Sequence, residues 1–240
     1  MPHTCGYFPE RSARNVVLDP ATPDLRQVYG AALENGFRRA GGQVYRPHCA
    51  HCRACIPCRV PVATFRPDRA QRRCARRNAD LELRDMPASF DAERFALYQR
   101  YVQSRHPGGG MDDTSREDFA HFIAADWSPT MFLEARADGR LVAVAVTDVT
   151  AAGLSAVYTF FDPAESARGL GTFMILSQIE LARRWHLAHV YLGFWIAGHP
   201  KMDYKQRFQP LEIRVDDTWQ ALPRGPATDA AARAQATPGL

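Results

Sequence analysis

The sequence predicts an α+β fold built around a mixed sheet. Three observations lead to this prediction. Of the 240 residues, 46% are hydrophobic, which is enough to bury a sizeable core. In the second half, strand-like segments alternate with segments of helical periodicity, and a glycine pair opens the longest of these helices. The first half is instead rich in Cys and Arg and has little regular periodicity between residues 41 and 59.

The first half carries four segments with clear start or stop signals. In chain order they are a helix at 24–39, a strand at 60–67, a helix at 90–106 and a helix at 114–123. Asp24 is placed to cap the first helix and Gly41-Gly42 to end it. The glycines that follow Pro107 predict a mobile loop, and the last helix opens with a capping box.

The second half predicts strands joined by a hairpin and a long helix. In order it gives a hairpin around Asp138-Gly139 within 130–150, a strand at 154–163, a helix at 169–186, a strand at 189–196, a helical turn at 201–205 and a strand at 208–219. This is the order of the acetyltransferase-like (GNAT-type) acyltransfer fold. We therefore expect an N-terminal Cys/Arg-rich region at 1–80, a GNAT-like domain at 81–222 and a disordered tail at 223–240.

The helix at 169–186 begins with the segment R-G-L-G-T. Glycines at a helix N-terminus let backbone amides face an anion, which makes Gly169, Gly171 and Thr172 candidate substrate-binding residues. Acyl-CoA enzymes use such a loop for pyrophosphate. A short glycine turn can also serve only to pack the helix, and both interpretations stay open here.

The net charge of +4 hides a strongly basic segment. Between residues 38 and 77 the chain has eleven arginines and a single acid, Asp68. Arginine binds phosphate in a bidentate manner and stacks on bases, so the segment predicts a polyanion partner such as nucleic acid. The alternative is a solvated charged face. The candidate contacts in this segment are Arg38, Arg39, Arg59, Arg72, Arg73 and Arg76.

Lysine occurs at two positions, Lys201 and Lys205, in a chain with 30 lysines and arginines together. The spacing of four residues would place both on one face of a helix. The pair is either a chance feature of a solvated face or a place that needs a compact ammonium with three donors, which the planar guanidinium of arginine does not replace.

Four cysteines follow one another at a three-residue pitch, and all six fit a reducing compartment better than a secreted disulfide framework. Consecutive C-x2-C steps are typical of iron-sulfur ligation, while the neighbouring His48 and His51 would favour zinc. Unligated thiols are the equal alternative. The chain start lacks a signal-like segment, and the aliphatic run at 141–146 is too short to span a bilayer. We therefore expect a cytoplasmic protein with no membrane partner.

Eight short motifs together resemble one family. They are CGY at 5–7, GFRRAGG at 36–42, YRPHCAHC at 45–52, CRVPVATFRP at 58–67, YTFFDP at 158–163, GLGT at 169–172, YLGFWI at 191–196 and KMDYKQRFQPLE at 201–212. The chain thus resembles the arginyl-tRNA protein transferase family, most closely its bacterial branch, the aspartate/glutamate leucyltransferases. The motifs span nearly the whole chain in family order.

The resemblance implies an enzyme that transfers leucine from Leu-tRNA to the N-terminal Asp or Glu of a protein, which marks the product for N-end-rule degradation. The reaction is aminolysis of an ester and requires no cofactor. The bacterial pattern makes Cys5, Cys49, Cys52 and Cys55 candidates for zinc or an iron-sulfur cluster. The eukaryotic pattern is not followed, because Phe8 stands after the C-G-Y motif and Ile56-Pro57 separate Cys55 from Cys58.

The family motifs also suggest candidate residues for the reaction. Lys201 and Lys205 are candidates to bind the acceptor carboxylate or a tRNA phosphate, with Tyr204 as a further donor. Arg38 and Arg39 are candidates for the same carboxylate or the tRNA terminus. The remaining candidates each have an ordinary structural alternative: Tyr158 and Asp162 at a strand end, His199 as a base, and Trp195 in a leucyl pocket.

Two other functions remain open from the sequence. An acyl-CoA N-acetyltransferase would use the R-G-L-G-T turn for CoA, and acetyl-CoA should then raise the melting temperature. A non-catalytic nucleic-acid-binding module built on the Cys/Arg-rich half should bind duplexes and tRNA alike without turnover.

Overall fold

A computed structural model describes residues 2–105 and 114–223. The predicted glycine loop at 108–110 and all but the first residue of the predicted tail lie outside this part of the chain. The described strands and helices are β1 (His3–Thr4), β2 (Ser12–Ala13), β3 (Asn15–Val17), α1 (Leu25–Glu34), β4 (Arg38–Ala40), β5 (Gln43–Pro47), β6 (Ile56–Pro61), α2 (Arg69–Arg77), β7 (Glu82–Pro87), α3 (Ala92–Arg105), α4 (Arg116–Ile123), β8 (Thr130–Ala137), β9 (Arg140–Thr150), β10 (Gly153–Phe161), α5 (Leu170–Arg184), β11 (His189–Trp195), β12 (Glu212–Val215) and β13 (Thr218–Ala221), with 3-10 helices at Pro163–Arg168 and Asp203–Arg207.

The main sheet has eight strands in the order β13-β12-β6-β11-β10-β9-β8-β7. β10 and β11 pair in parallel and the other neighbours are antiparallel. Alternate residues of β9 bury against opposite layers: Val144 and Val146 pack under α3 and α4, whereas Ala143 and Ala145 pack under α5. The α+β, GNAT-type prediction is confirmed, with helices on both faces of a mixed sheet.

The parallel pair β10 and β11 is joined by α5, as a crossover connection requires. The two strands share the Cα partners Leu154 with Val190 and Ser155 with Tyr191. Beyond Ser155 and Tyr191 the two strands are no longer paired with each other, and each has a register shift against its outer neighbour. The carboxyl ends of β10 and β11 therefore open a gap in the middle of the sheet.

A three-stranded sheet, β3-β5-β4, lies before the main sheet in the chain. The predicted helix at 24–39 ends at Glu34, so Arg38 and Arg39 lie on strand β4 instead. Gly36 explains the early end, because it has a φ of 78° and a methyl group there would come within 2.8 Å of Pro57. Asp24 begins the helix, but its side chain makes no capping hydrogen bond.

Two further predictions needed correction, and one helix was not predicted. The strand expected at 60–67 is β6, which starts earlier and ends at Pro61. The strand expected at 208–219 is a hairpin of β12 and β13, turned by Asp216 and Asp217 at positive φ. Helix α2 lies in the basic segment at 38–77, where no helix was predicted. The hairpin of β8 and β9 and helices α3, α4 and α5 lie where the sequence predicted them.

The boundary between residues 80 and 81 stays a prediction. Strand β6 comes before this boundary in the chain, and its two partner strands, β11 and β12, come after it. Within residues 2–105 and 114–223, no helix has the length and apolar character needed to cross a bilayer.

Candidate active site

Arg38 lies across the gap between β10 and β11. Its Nη2 donates a hydrogen bond to the carbonyl oxygen of Val157 at 3.1 Å, and its Nε lies 3.4 Å from the carbonyl oxygen of Arg39. On the other strand Gly193 has a φ of 74°, and a methyl group there would come within 3.2 Å of Nη1. Glycine at this position therefore allows the guanidinium to approach the backbone of β11 closely.

Aromatic groups, not acids, surround Arg38. Its guanidinium carbon is 6.0 Å from the centre of the Phe194 ring, and the phenols of Tyr45, Tyr7 and Tyr204 interact with it electrostatically. Among the described residues Nη1 has no hydrogen-bond partner, and no Asp or Glu forms an ion pair with Arg38. A partly buried cation thus has one face without a counter-ion.

Lys205 lies in the same part of the molecule and is only 4% exposed. Its Nζ donates a hydrogen bond to the carbonyl oxygen of Phe194 and lies 3.9 Å from the Sδ atom of Met202. Burial lowers the pKa of Lys205 to about 8, and the nearby Arg38 guanidinium lowers it as well. The site therefore holds two neighbouring cationic side chains, and in the described residues no carboxylate interacts with either of them.

The two lysines do not share a helical face as the sequence had suggested. The 3-10 helix begins at Asp203, so Lys201 precedes it and is exposed, whereas Lys205 lies inside. Between them, Tyr204 is 40% exposed, and its pKa is raised to about 12 mainly by desolvation. His199 packs edge-on against the rings of Tyr7 and Phe8, and its carbonyl oxygen accepts a hydrogen bond from the amide of Met202 at 3.0 Å.

Arg39, the neighbour of Arg38, is fully buried and uses its donors within the protein. It forms an ion pair with Asp148, with Nε at 2.8 Å and Nη2 at 2.9 Å from the two carboxylate oxygens. Its Nη1 donates to the carbonyl oxygen of Gly41 at 2.8 Å, and Tyr29 and Thr130 donate to the same carboxylate. This geometry supports a structural role for Arg39 rather than the predicted substrate contact.

Two more predicted contacts occupy structural positions. Trp195 is completely buried, and its indole N–H donates to Asp203 at 3.1 Å, which anchors the 3-10 helix that carries Lys205. Arg59 pairs with Glu212 at 2.7 Å and stacks over Trp219 at 4.2 Å. Both side chains are therefore committed to contacts inside the fold.

Tyr158 and Asp162 differ in whether their side chains have hydrogen-bond partners. The Tyr158 hydroxyl is buried and has no hydrogen-bond partner in the described chain, and desolvation raises its pKa. The ring of Tyr101 lies 6.2 Å from that of Tyr158. Asp162 accepts hydrogen bonds from Arg140 at 2.7 Å and from the amide of Ala164 at 3.0 Å, so it caps the turn after β10. Tyr158 thus remains a candidate for substrate contact, whereas Asp162 is explained by its structural bonds.

The glycine turn at the start of α5 is braced by α2. Gly169 has a φ of 69°, and its carbonyl oxygen lies 3.4 Å from the thiol of Cys74. Asn78 donates to the carbonyl oxygen of Arg168 at 3.0 Å, and the Thr172 amide bonds back to Gly169 at 3.0 Å. Anion binding by Gly169, Gly171 and Thr172 stays a prediction.

The outer face of α2 is an exposed arginine stripe. Its inner face consists of Gln71, Cys74 and Asn78, and Asp68 begins the helix with a capping box to Gln71. The exposed arginines of the helix are Arg69, Arg72, Arg73, Arg76 and Arg77. Three of the predicted polyanion contacts therefore lie on one solvent-facing surface.

The candidate metal ligands lie around a cavity of about 330 Å³. Cys5, Cys49, Cys52 and Cys55 all line it, but among the described residues no group of three His, Cys, Asp or Glu side chains is arranged to hold a metal ion. Desolvation, together with the nearby Cys5, Cys52 and Cys49, raises the pKa of Cys55 to about 12. The positions of these side chains therefore do not support the predicted zinc or iron-sulfur site.

Comparisons with known proteins agree with this architecture. A family model described as "Arginine-tRNA-protein transferase, C terminus" matches residues 93–215, and the corresponding N-terminal model matches residues 3–73. The chain belongs to the arginine-tRNA-protein transferase family. This membership confirms the resemblance predicted from the sequence, and with it the prediction of an enzyme.

Similar curated proteins cover nearly the whole chain. An aspartate/glutamate leucyltransferase from Stenotrophomonas maltophilia (strain K279a) is 58% identical over 223 residues, which are 90% of this chain and 89% of the relative. A protein of the same name from Pseudomonas fluorescens (strain SBW25) is 50% identical over 221 residues, with 92% and 94% covered.

Solved structures show the same fold at low sequence identity. The C-terminal domain of a protein named a lysylphosphatidylglycerol synthetase from Agrobacterium fabrum matches with a TM-score of 0.52 and 15% identity, over 81% of this chain and 62% of that one. The L-PGS structure from Bacillus licheniformis matches with a TM-score of 0.51 and 8% identity, over 70% of this chain and 58% of that one. This chain thus spans about three fifths of the length of these structures.

Proposed function

We propose that this member of the family transfers leucine from Leu-tRNA to the N-terminal Asp or Glu of acceptor proteins. Relatives that are 50–58% identical over about nine tenths of the chain carry the name aspartate/glutamate leucyltransferase. The observation that supports the proposal within the molecule is the pair of cations, Arg38 and Lys205, at the open end of β10 and β11.

The arrangement suits recognition of a carboxylate. Removing a charge from water without a partner is costly, so two cationic side chains without a counter-ion favour an anionic ligand. The bare Nη1 of Arg38 would donate a charge-assisted hydrogen bond to the side-chain carboxylate of the acceptor residue. Asn and Gln at the acceptor N-terminus have the same shape without the charge and should be poor acceptors.

The donor tRNA is expected to dock on the arginine stripe of α2. Phosphate contacts from Arg72, Arg73 and Arg76 need no base reading, because aminoacyl transfer depends on where the acceptor end lies. The same helix braces the glycine turn that opens α5, which connects the docking surface to the end of β10.

The chemistry is aminolysis of an activated ester. The acceptor ammonium must lose a proton, the carbonyl oxygen must be stabilised as it gains charge, and the ribose oxygen must leave with a proton. Positioning of both substrates supplies much of the rate gain in such transfers. Tyr204 and Tyr158 are the candidate hydroxyl donors that would stabilise the carbonyl oxygen or protonate the ribose oxygen. Lys201 is exposed and precedes the 3-10 helix of Lys205, where it would contact the polypeptide or the tRNA.

Wild-type protein should be assayed with radiolabelled Leu-tRNA and Arg-tRNA against peptides that differ only in the first residue: Asp, Glu, Asn, Gln or Ala. Leucine incorporation restricted to Asp and Glu is the expected result. Incorporation from Arg-tRNA alone, or equal incorporation into the Asn and Asp peptides, would contradict the proposal.

We propose further that the reaction takes place in the cytoplasm and marks its products for degradation by the N-end rule. A reporter with an N-terminal Asp should then have a shorter half-life in cells that express the active protein than in cells that express an Arg38→Met variant. Equal half-lives would contradict this part of the proposal.

A further inference from the structure

Tyr204 presents an exposed aromatic ring beside the candidate site. It is 40% exposed, although its phenol interacts with Arg38 and its ring centre lies 5.9 Å from the buried Nζ of Lys205. The ring therefore has an inner side toward the two buried cations and an outer side in contact with solvent. A single exposed ring is ordinary on a protein surface, and the groups that flank this one are what distinguish it.

Two exposed cations flank the ring. Lys201 precedes Tyr204 by three residues and Arg207 follows it by three, and both are exposed. Side chains three residues apart in a 3-10 helix lie above one another, so Tyr204 and Arg207 share one face of this helix. The acid of the helix, Asp203, is partly buried and accepts a hydrogen bond from the indole of Trp195. The outer face of the segment is thus an aromatic ring between two positive charges.

The 3-10 helix is joined to the arginine stripe of α2. Gln71, in the first turn of α2, is buried, and its Nε2 donates a hydrogen bond to the carbonyl oxygen of Arg207 at 2.9 Å. The next residue, Phe208, stacks on the ring of Phe65, with 6.5 Å between the ring centres. The exposed arginines of α2 are therefore held next to Arg207, and the basic surface continues from α2 to Tyr204.

Such a surface suits the acceptor end of a tRNA. This end is a duplex stem followed by unpaired nucleotides, and the last nucleotide carries the aminoacyl ester. Positive charge is sufficient to bind the phosphates of the stem, whereas unpaired bases stack on exposed aromatic rings. A base stacked on Tyr204 would bring the attached ester next to Arg38, the residue assigned above to the acceptor carboxylate.

We propose that the exposed ring of Tyr204 stacks on an unpaired base at the 3′ end of Leu-tRNA, while Lys201 and Arg207 contact the adjoining phosphates. The inference rests on the proposed function for the identity of the tRNA. It adds a contact for the single-stranded end to the docking of the stem on α2. It also separates two parts of Tyr204, because the ring binds the tRNA whereas the hydroxyl stays a candidate donor in the reaction.

The test measures tRNA binding and requires no transfer. One probe is deacylated leucine tRNA with its complete 3′ end, and the other is the same tRNA without its last three nucleotides. Tyr204→Leu removes the ring, and Tyr204→Phe keeps the ring without the hydroxyl. Trp185→Leu is the matched control, because Trp185 is 41% exposed and follows the end of α5 that is remote from the glycine turn. The melting temperature of each variant verifies that it is folded.

Wild type should bind the complete tRNA more tightly than the truncated one. Tyr204→Leu should raise the Kd for the complete tRNA roughly 5–150-fold, the range expected for loss of one base–aromatic stack, and leave the Kd for the truncated tRNA unchanged. Tyr204→Phe and Trp185→Leu should bind both tRNAs like wild type. Arg207→Gln should reduce the slope of the salt dependence by about 0.7 for the complete tRNA only.

Equal affinity of wild type for the two tRNAs, or equal affinity of wild type and Tyr204→Leu for the complete tRNA, would overturn the stacking. If Tyr204→Phe lost as much affinity as Tyr204→Leu, the hydroxyl would make the contact and the inference would be wrong. An unchanged salt slope in Arg207→Gln would overturn the phosphate contact. Failure of the proposed function would appear separately, as absence of leucine incorporation by the wild type.

Discussion

The structural role assigned to Arg39 is tested most directly by a substitution in its buried ion pair with Asp148. Both side chains are completely buried, and the carboxylate accepts from Arg39, Tyr29 and Thr130. Asp148→Asn keeps the shape of the side chain but leaves the guanidinium without a counter-charge. Breaking a buried pair in this way typically costs about 3–5 kcal/mol.

That free-energy loss corresponds to a fall in Tm of roughly 6–20 °C for a chain of this size. Urea unfolding at pH 7, followed by tryptophan fluorescence, measures the loss directly. The double variant Arg39→Met with Asp148→Leu removes both charges and should recover at least half of the lost free energy. Arg84→Met is the matched control, because its ion pair with Glu82 is exposed and is expected to contribute less than about 1 kcal/mol.

If Asp148→Asn cost no more than Arg84→Met, the pair would not hold β4 against β9, and the structural account of Arg39 would fail. If the double variant were less stable than Asp148→Asn, the loss would come from packing or from the hydroxyl partners, and the charge argument would be wrong.

Three further predictions follow from the same structure. Gly193→Ala places a methyl group 3.2 Å from Arg38 Nη1 at a φ of 74°, so the free energy of unfolding, measured in urea, should fall by about 1–2 kcal/mol. The KM for Asp peptides should rise, because the methyl group displaces the guanidinium. An unchanged KM would contradict the contact. Replacing Arg72, Arg73 and Arg76, three of the five exposed arginines of the α2 stripe, by Gln should raise the KM for tRNA and flatten its salt dependence without changing the preference for Asp over Asn. An unchanged salt slope would exclude this docking surface. The pKa of Lys205 is lowered to about 8 in the folded state, so between pH 8 and about 10 the unfolded chain binds more protons than the folded one. The free energy of unfolding of wild type, relative to that of Lys205→Met, should therefore rise over this pH range. If this free-energy difference did not change with pH, the pKa shift would be contradicted.

The sequence predicted the elements whose signals are local. The hairpin around Asp138-Gly139 and helix α5 carry their own turn and periodicity signals, and the structure places them as expected. Arg38 and Arg39 continue a helical pattern in the sequence, but the contact of Gly36 with Pro57 ends the helix before them. That contact is formed by residues about twenty positions apart and has no local signal.

Only part of the candidate site was predicted, again because contacts between residues far apart in the chain have no local signal. Family motifs contain both Arg38 and Lys205, but they do not show that one arginine of a pair reaches the gap in the sheet while the other is buried against Asp148. Nor does the spacing of the two lysines show that Lys201 precedes the helix. Asp148 itself was missed, because a single acid in the strand segment LVAVAVTDVT is noticeable only when its distant partner is known.

The central claim is that Arg38 provides the charge that selects Asp and Glu. The most direct measurement is the ratio of kcat/KM for peptides that begin with Asp and with Asn, in wild type, in Arg38→Met and in Arg46→Met, a control on the neighbouring strand. A hydrogen bond to a charged group contributes about 1.5–3 kcal/mol, so the ratio should fall roughly 10–150-fold in Arg38→Met and stay unchanged in Arg46→Met. If Arg38→Met kept the wild-type ratio while remaining folded and able to use Leu-tRNA, selection of the acidic residue would take place elsewhere and the account of the site would be wrong.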